Sequence, residues 1–389
     1  GSATGSSDPP NGDLHFHLDP LWADANIDFI GIDNYLPLAD WRDGEDHADR
    51  AAGWLHPNQR AYLQANVEGG EGFDWFYASA ADRAAQIRTP IEDGAYGKPW
   101  VYRPKDLRSW WSSQHHDRPG GIEAGTATAW VPESKPIRFT EIGCSALDRG
   151  ANQPNVFFDP KSSESALPHF SRGWRGDAMQ RAFIEAALGY WSAHSPTSSV
   201  YGGPMIDLGE AAIWTWDARP FPDFPLRGAI WTDGDNWRLG HWLTGRAGGA
   251  PLAAVLRDLC RRAGLADAEI NTSGVWQVCE GFAVKALESP RASIGTLARF
   301  FGVDAVESGG VIRFTERGLP AVATLSADDL VAGEGEAAEP FELTRGQETE
   351  LPAILRWRIR RSDESYDTAA VEAARIVGQS ARVDAEDFL

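Results

Sequence analysis

The chain has 389 residues and a formal net charge of −20 at pH 7. At roughly 100–200 residues per domain this length predicts two units, and a hydrophobic share of 42% suffices to bury a core in each. The acidic balance excludes a nucleic-acid surface, because clustered cations are what displace counterions from phosphate backbones.

Residues 1–12 are rich in Gly, Ser, Pro and Asp and read as a flexible lead-in or an expression scar. Residues 27–35, IDFIGIDNY, form an apolar, β-branched run ending in polar side chains, the pattern of a buried parallel strand that delivers residues to a site. In 72–87, Ser79 caps a helix with Asp82 in its first turn, and 98–103, KPWVYR, reads as another strand. The stretches 110–132 and 148–170 are long insertions, the first rich in Trp, His, Gly and Pro. Loops of this length are functional or disordered, and aromatic-rich ones suit the walls of a sugar-binding cleft. Residues 136–143, PIRFTEIG, predict a second strand, 177–191 an amphipathic helix, and 211–217, AAIWTWD, a third strand. Strand, helix, strand at this spacing is a βαβ signature.

Nearly all of the 17 Trp and all nine His precede residue 246, which places a boundary near Gly245. Beyond it, 251–264 is a helix stopped by Gly264 and 293–302 a second one capped by Ser293. Strands follow at 310–315 and 351–360, with an acidic linker at 334–340. The fold class is therefore α/β followed by α+β. Arg356, Arg358, Arg360 and Arg361 fit a solvated or subunit-facing strand.

Cys144, Cys260 and Cys279 have no metal spacing, and their odd number cannot pair fully within the chain, which fits synthesis in a reducing compartment. No run of about 18 apolar residues exists to span a membrane, and no secretion signal is legible, which fits release by lysis. His15 and His17 could supply two metal ligands at a strand end, but no later strand end offers further histidines, so no metal and no cofactor is expected. Gly69, Gly70 and Gly72 lack the Lys and helix start of a phosphate cradle.

At IDFIGIDNY, FTEIGC and WTWDARP the sequence resembles the glycoside-hydrolase-like TIM-barrel domain of the gene transfer agent tail-hub family. FHLDPLWAD, EGFDWFYAS, GKPWVYRPKDLRSWW, GANQPNVFFDPKSSESALP and GDNWRLGHW extend the resemblance over residues 13–245. Residues 246–389 are similar, less specifically, to the phage tail hub domain that follows this barrel, through PLAAVLRDLCRRAGL, GGVIRFTERG and ILRWRIRRSDESYDTAAVEA.

The resemblance implies the C-terminal part of a (β/α)8 TIM-barrel-like domain, with residues 27–35, 136–143 and 211–217 as strands 6 to 8. Strands 1 to 5 and the acid/base Glu after strand 4 are then missing from this chain, which is either a fragment or an incomplete barrel. Glu141, in its TEIG context, takes the seventh-strand position of a retaining nucleophile; an ion pair with Arg138 or another strand-end arginine is the competing role. Asp33, Asn34 and Tyr35 leave the sixth strand as substrate-binding residues, Tyr35 able to donate to the nucleophile, or else they satisfy a strand-end turn. Trp214 and Trp216 offer a stacking floor or core packing. Asp217 offers a hydroxyl partner or a salt bridge to Arg219.

The implied partners are cell-envelope glycan, peptidoglycan or a surface polysaccharide, and other tail and baseplate proteins, with a homo-trimer in the assembled tail. Direct nucleic-acid contact is not expected. The implied place is the tail tip of a phage-like particle made in the bacterial cytoplasm. A non-catalytic barrel that binds glycan and serves assembly is the alternative.

Overall fold

A computed structural model describes residues 13–159, 161–220, 222–243, 249–284, 287–319, 321, 323–330, 344–345, 347–361, 367–375 and 383–387. The chain divides into two compact units, Gly1–Ala247 and Gly248–Leu389.

In the first unit β1 (Ile30–Asn34) is followed by several short helices, among them α1 (Arg60–Ala65) and α2 (Ala80–Ala85), then by β2 (Ile137–Ile142) and the long helix α3 (Asp177–His194). β1 and β2 are parallel, with Ile30 opposite Ile137 and Asp33 opposite Glu141, after a register shift between Ile32 and Asp33. The Ser79 side chain caps α2 by accepting from Asp82 N, as its position predicts.

The third predicted strand, 211–217, is not a continuous one. Residues 205–214 do run parallel to β2 on its other side, through Ile137 N to Met205 O, Ala212 N to Phe139 O and Trp214 N to Ile142 O. A 3₁₀ turn at Leu208–Glu210 lifts the chain away midway and leaves only isolated bridges at Ile206 and Ile213. Three parallel segments thus lie side by side, and no closed barrel exists among the described residues.

Burial follows from α3. Met179, Phe183, Ala186, Ala187 and Trp191 recur at helical spacing and are all buried, forming one apolar stripe. This stripe joins Ile30, Ile137, Phe139 and Ile142 in one core. Two expectations are corrected here. Residues 98–103 are not a strand, since Pro99–Tyr102 is a 3₁₀ helix, where a proline at the start forfeits no needed N–H. Trp110, Trp111 and Trp130 of the first insertion are core residues rather than cleft walls. Trp110 and Trp130 pack against His115, whose Nδ1 lies 2.8 Å from the equally buried Asp19 carboxylate and whose ring stacks on Phe16.

In the second unit, helix α4 (Leu252–Arg262) buries Leu252, Leu256, Leu259 and Cys260, and Gly264 follows it with φ +93. Next come β3 (Ile270–Gly274), helix α5 (Pro290–Phe301), β4 (Val303–Ser308) and β5 (Val311–Glu316). β5 pairs antiparallel with β4 and parallel with β3. Gly309 and Gly310, both at positive φ, make the two-residue turn that the right-handed twist of a hairpin demands.

The N-cap of α5 is Ser289, whose side chain accepts from Ala292 N. Ser293, the predicted cap, is buried inside the helix with its hydroxyl on Glu288. Finally, β6 (Ile354–Arg360) lies between antiparallel β7 (Thr368–Ala374) and parallel β8 (Val383–Asp387). In this sheet Arg356 pairs with Glu372 at 2.5 Å. The predicted linker 334–340 lies outside the described residues.

Candidate active site

Parallel strands deliver their C-terminal residues to one end of the sheet, and there β1 and β2 bring Tyr35 to Glu141. The Tyr35 hydroxyl donates to Glu141 Oε2 at 2.6 Å. Partial burial, reinforced by the hydrogen bond and by the charges of Glu141 and Asp33, pushes the phenol's pKa up, so it remains a donor across the whole neutral range. Glu141 is therefore not tied to Arg138, which pairs with Asp207 at 3.0 Å.

Asp33 stands opposite Glu141 in register and accepts from Thr140 Oγ1 at 2.7 Å. Asn34 differs from its neighbours: it is buried and lines a small internal cavity with Leu36, Lys105, Phe183 and Trp191.

Beyond β2, Gly143 allows the close approach of Trp214, whose carbonyl oxygen would meet a Cβ on Gly143 at 2.4 Å. Trp214 and Trp216 are 40% and 63% exposed, so neither is packed away in the core. Asp217 is engaged by Arg219 at 2.5 Å, which also holds Asp233 at 2.7 Å, and the guanidinium keeps the Asp217 carboxyl below its usual range.

His241, which the reading of single residues passed over, organises this end of the sheet. Its ring meets Tyr35 edge-on at 5.7 Å and stacks on Phe157 at 5.5 Å. Nε2 lies 3.0 Å from Pro154 O, so it donates there, and the backbone oxygen of His241 accepts from Thr215 N and Gln180 Nε2. His241 thus links the Tyr35 ring and the 148–170 insertion through its buried imidazole, and the segment carrying the exposed tryptophans through its backbone. Its only sequence signal was membership of GDNWRLGHW.

The His15 and His17 rings lie 5.3 Å apart, tilted by 31°, and His15 Nδ1 lies 3.6 Å from Asp117. Among the described residues no group of three or more His, Cys, Asp or Glu is arranged to hold a metal ion. None of the described helices is long and apolar enough to cross a membrane.

Residues 3–225 match the family described as the GTA TIM-barrel-like domain. The chain belongs to that family. Residues 289–388 of this GTA TIM-barrel-like protein match a phage tail protein family. Among solved structures it is similar to a chain of the virion of a native gene transfer agent (GTA) particle, with 32% identity and a TM-score of 0.36, covering 40% of this chain and 35% of that one. It therefore spans about a third of that chain's length. No curated protein matches it.

Proposed function

We propose that this protein is a tail component of a gene transfer agent or related phage-like particle, with its first unit acting on cell-envelope glycan and its second serving as a hub domain. The observation that carries the catalytic part is the Tyr35–Glu141 hydrogen bond, at the strand end where sites of parallel α/β folds form. In this reading β1, β2 and residues 205–214 are strands 6 to 8 of the barrel. The ionised Glu141 attacks the anomeric carbon while a second carboxylic acid protonates the leaving oxygen, and water then releases the sugar from Glu141. Tyr35 holds the nucleophile through its O–H, Asp33 and Asp217 address sugar hydroxyls, and Trp214 and Trp216 stack on sugar rings. The acid/base carboxylate comes from strand 4 of the complete barrel. The tail tip, neighbouring tail and baseplate proteins, and a homo-trimer built through the second unit belong to the same proposal.

The test is Glu141→Gln in assembled particles. Reducing-end release from purified peptidoglycan should disappear while tail assembly is unchanged; undiminished release rejects the nucleophile.

A second reading, a glycan-binding barrel without hydrolysis, is favoured by the exposed aromatics together with the buried Asn34 and the ion-paired Asp217. Under it, wild-type particles retain peptidoglycan and release no reducing ends.

A further inference from the structure

A second pair of aromatic rings stands at the same end of the first unit, outside the site just described. Trp174 is 60% exposed and Phe170 is 38% exposed. Each is backed by a guanidinium: Arg172 lies 4.8 Å over the Trp174 ring, and Arg42 lies 3.6 Å over that of Phe170. The backing arginines are themselves fixed, Arg172 by Asp43 at 2.6 Å and Arg42 by Asp40 at 3.2 Å.

The loop is fixed as well. Asp148, a short turn beyond the end of β2, accepts from Ser171 Oγ and from the backbone N–H groups of Arg172 and Trp174. Its own N–H donates to Trp174 O at 2.9 Å. An aromatic ring held this way, with a cation over one face and part of its surface exposed, is preorganised at little further entropic cost.

Contacts beneath the surface also tie the platform's loop to the chain segment that supports the Glu141 site. Arg175, next to Trp174, lies over the Trp237 ring at 5.9 Å, and the same stretch of chain reaches His241, which supports Tyr35. Ala146 N to Gly240 O closes the connection. The surrounding ion pairs of Arg172, Arg149 and Arg175 with Asp43 and Asp177, together with the Asp148 carboxylate that holds the loop, set three cations against three anions, which suits a polar, largely uncharged ligand whose C–H faces stack on rings.

We propose that Phe170 and Trp174 form a distal stacking platform for a glycan chain that extends past the sugar units held near Glu141. The proposal rests on the glycan reading above and adds that the ligand is a strand of several sugars.

The test uses the full chain carrying Glu141→Gln, titrated calorimetrically with two-sugar and six-sugar glycan strands from purified peptidoglycan. Adding Trp174→Ala should lower six-sugar affinity about tenfold, the scale of one aromatic stacking contact, with a much smaller effect on the two-sugar strand. Trp174→Phe should restore most of the difference and thereby exclude misfolding as the cause. Equal effects on both strands, or none, overturn the platform while leaving the glycan reading intact, as does a loss of tail assembly with unchanged strand discrimination, which would assign the surface to a protein partner. Failure of the parent to bind either strand overturns both.

Discussion

Gly143 and Trp214 leave no room for a side chain between them: a Cβ on the glycine would stand 2.4 Å from the tryptophan's carbonyl oxygen. The obstacle is backbone, so neither a rotamer change nor a flexible side chain can relieve it. Gly143→Ala should therefore destabilise the chain by about 1–3 kcal/mol, the usual cost of overpacking, and should shift the Trp214–Trp216 segment. Denaturant unfolding read alongside tryptophan fluorescence checks both effects. An alanine variant of unchanged stability would contradict the packing described.

Tyr35 has two roles that one substitution separates. Tyr35→Phe keeps the ring against His241 but removes the donor to Glu141. Hydrogen bonds to charged groups contribute about 1.5–3 kcal/mol, so on the proposed mechanism kcat/KM should fall roughly ten- to a hundredfold with little loss of fold stability. Because the phenol's pKa is pushed up, no activity loss from its ionisation is expected below about pH 10. An alkaline decline in wild type that vanishes in Tyr35→Phe at lower pH would contradict this.

Lys105 is fully buried, and desolvation pulls its pKa down to about 7 against the partial support of Glu71 and Asp74. Its Nζ donates to the Pro37 and Gly69 carbonyls at 2.5 and 2.7 Å. Between pH 7 and the ordinary lysine value the unfolded chain binds one more proton than the folded one, so stability rises with pH through that window. The slope from one such group is at most about 1.4 kcal/mol per pH unit. Unfolding by urea at pH 7 and pH 9 should show the rise in wild type and lose this contribution in Lys105→Met. Identical pH dependence in both proteins would place the proton elsewhere.

What the sequence disclosed, and what it hid, follows from the range of the forces involved. β1, β2 and α3 were legible because an apolar period records which face meets the core. The Ser79 cap and the stop at Gly264 were legible because caps and left-handed positions are local chemistry. The 3₁₀ turn at Leu208–Glu210 lies just before the run read as a strand, where no periodicity marks it, and Ser289 and Ser293 offered the same hydroxyl to one helix start. Trp110, Trp111 and Trp130 looked like cleft residues because composition does not say which side of a loop meets the core. Pairing Tyr35 with Glu141 needed only strand-end logic, whereas the contact of His241 with Tyr35 joins residues distant in sequence and is set by tertiary packing alone.

The central claim is that Glu141 is a nucleophile, and covalent trapping tests it most directly. Assembled particles would be treated with a 2-deoxy-2-fluoro glycoside bearing an activated leaving group, digested, and analysed by mass spectrometry. The account predicts one fluoroglycosyl adduct, on Glu141, absent from Glu141→Gln. An adduct on another carboxylate, or glycan release by particles in which Glu141 is never labelled, would contradict it.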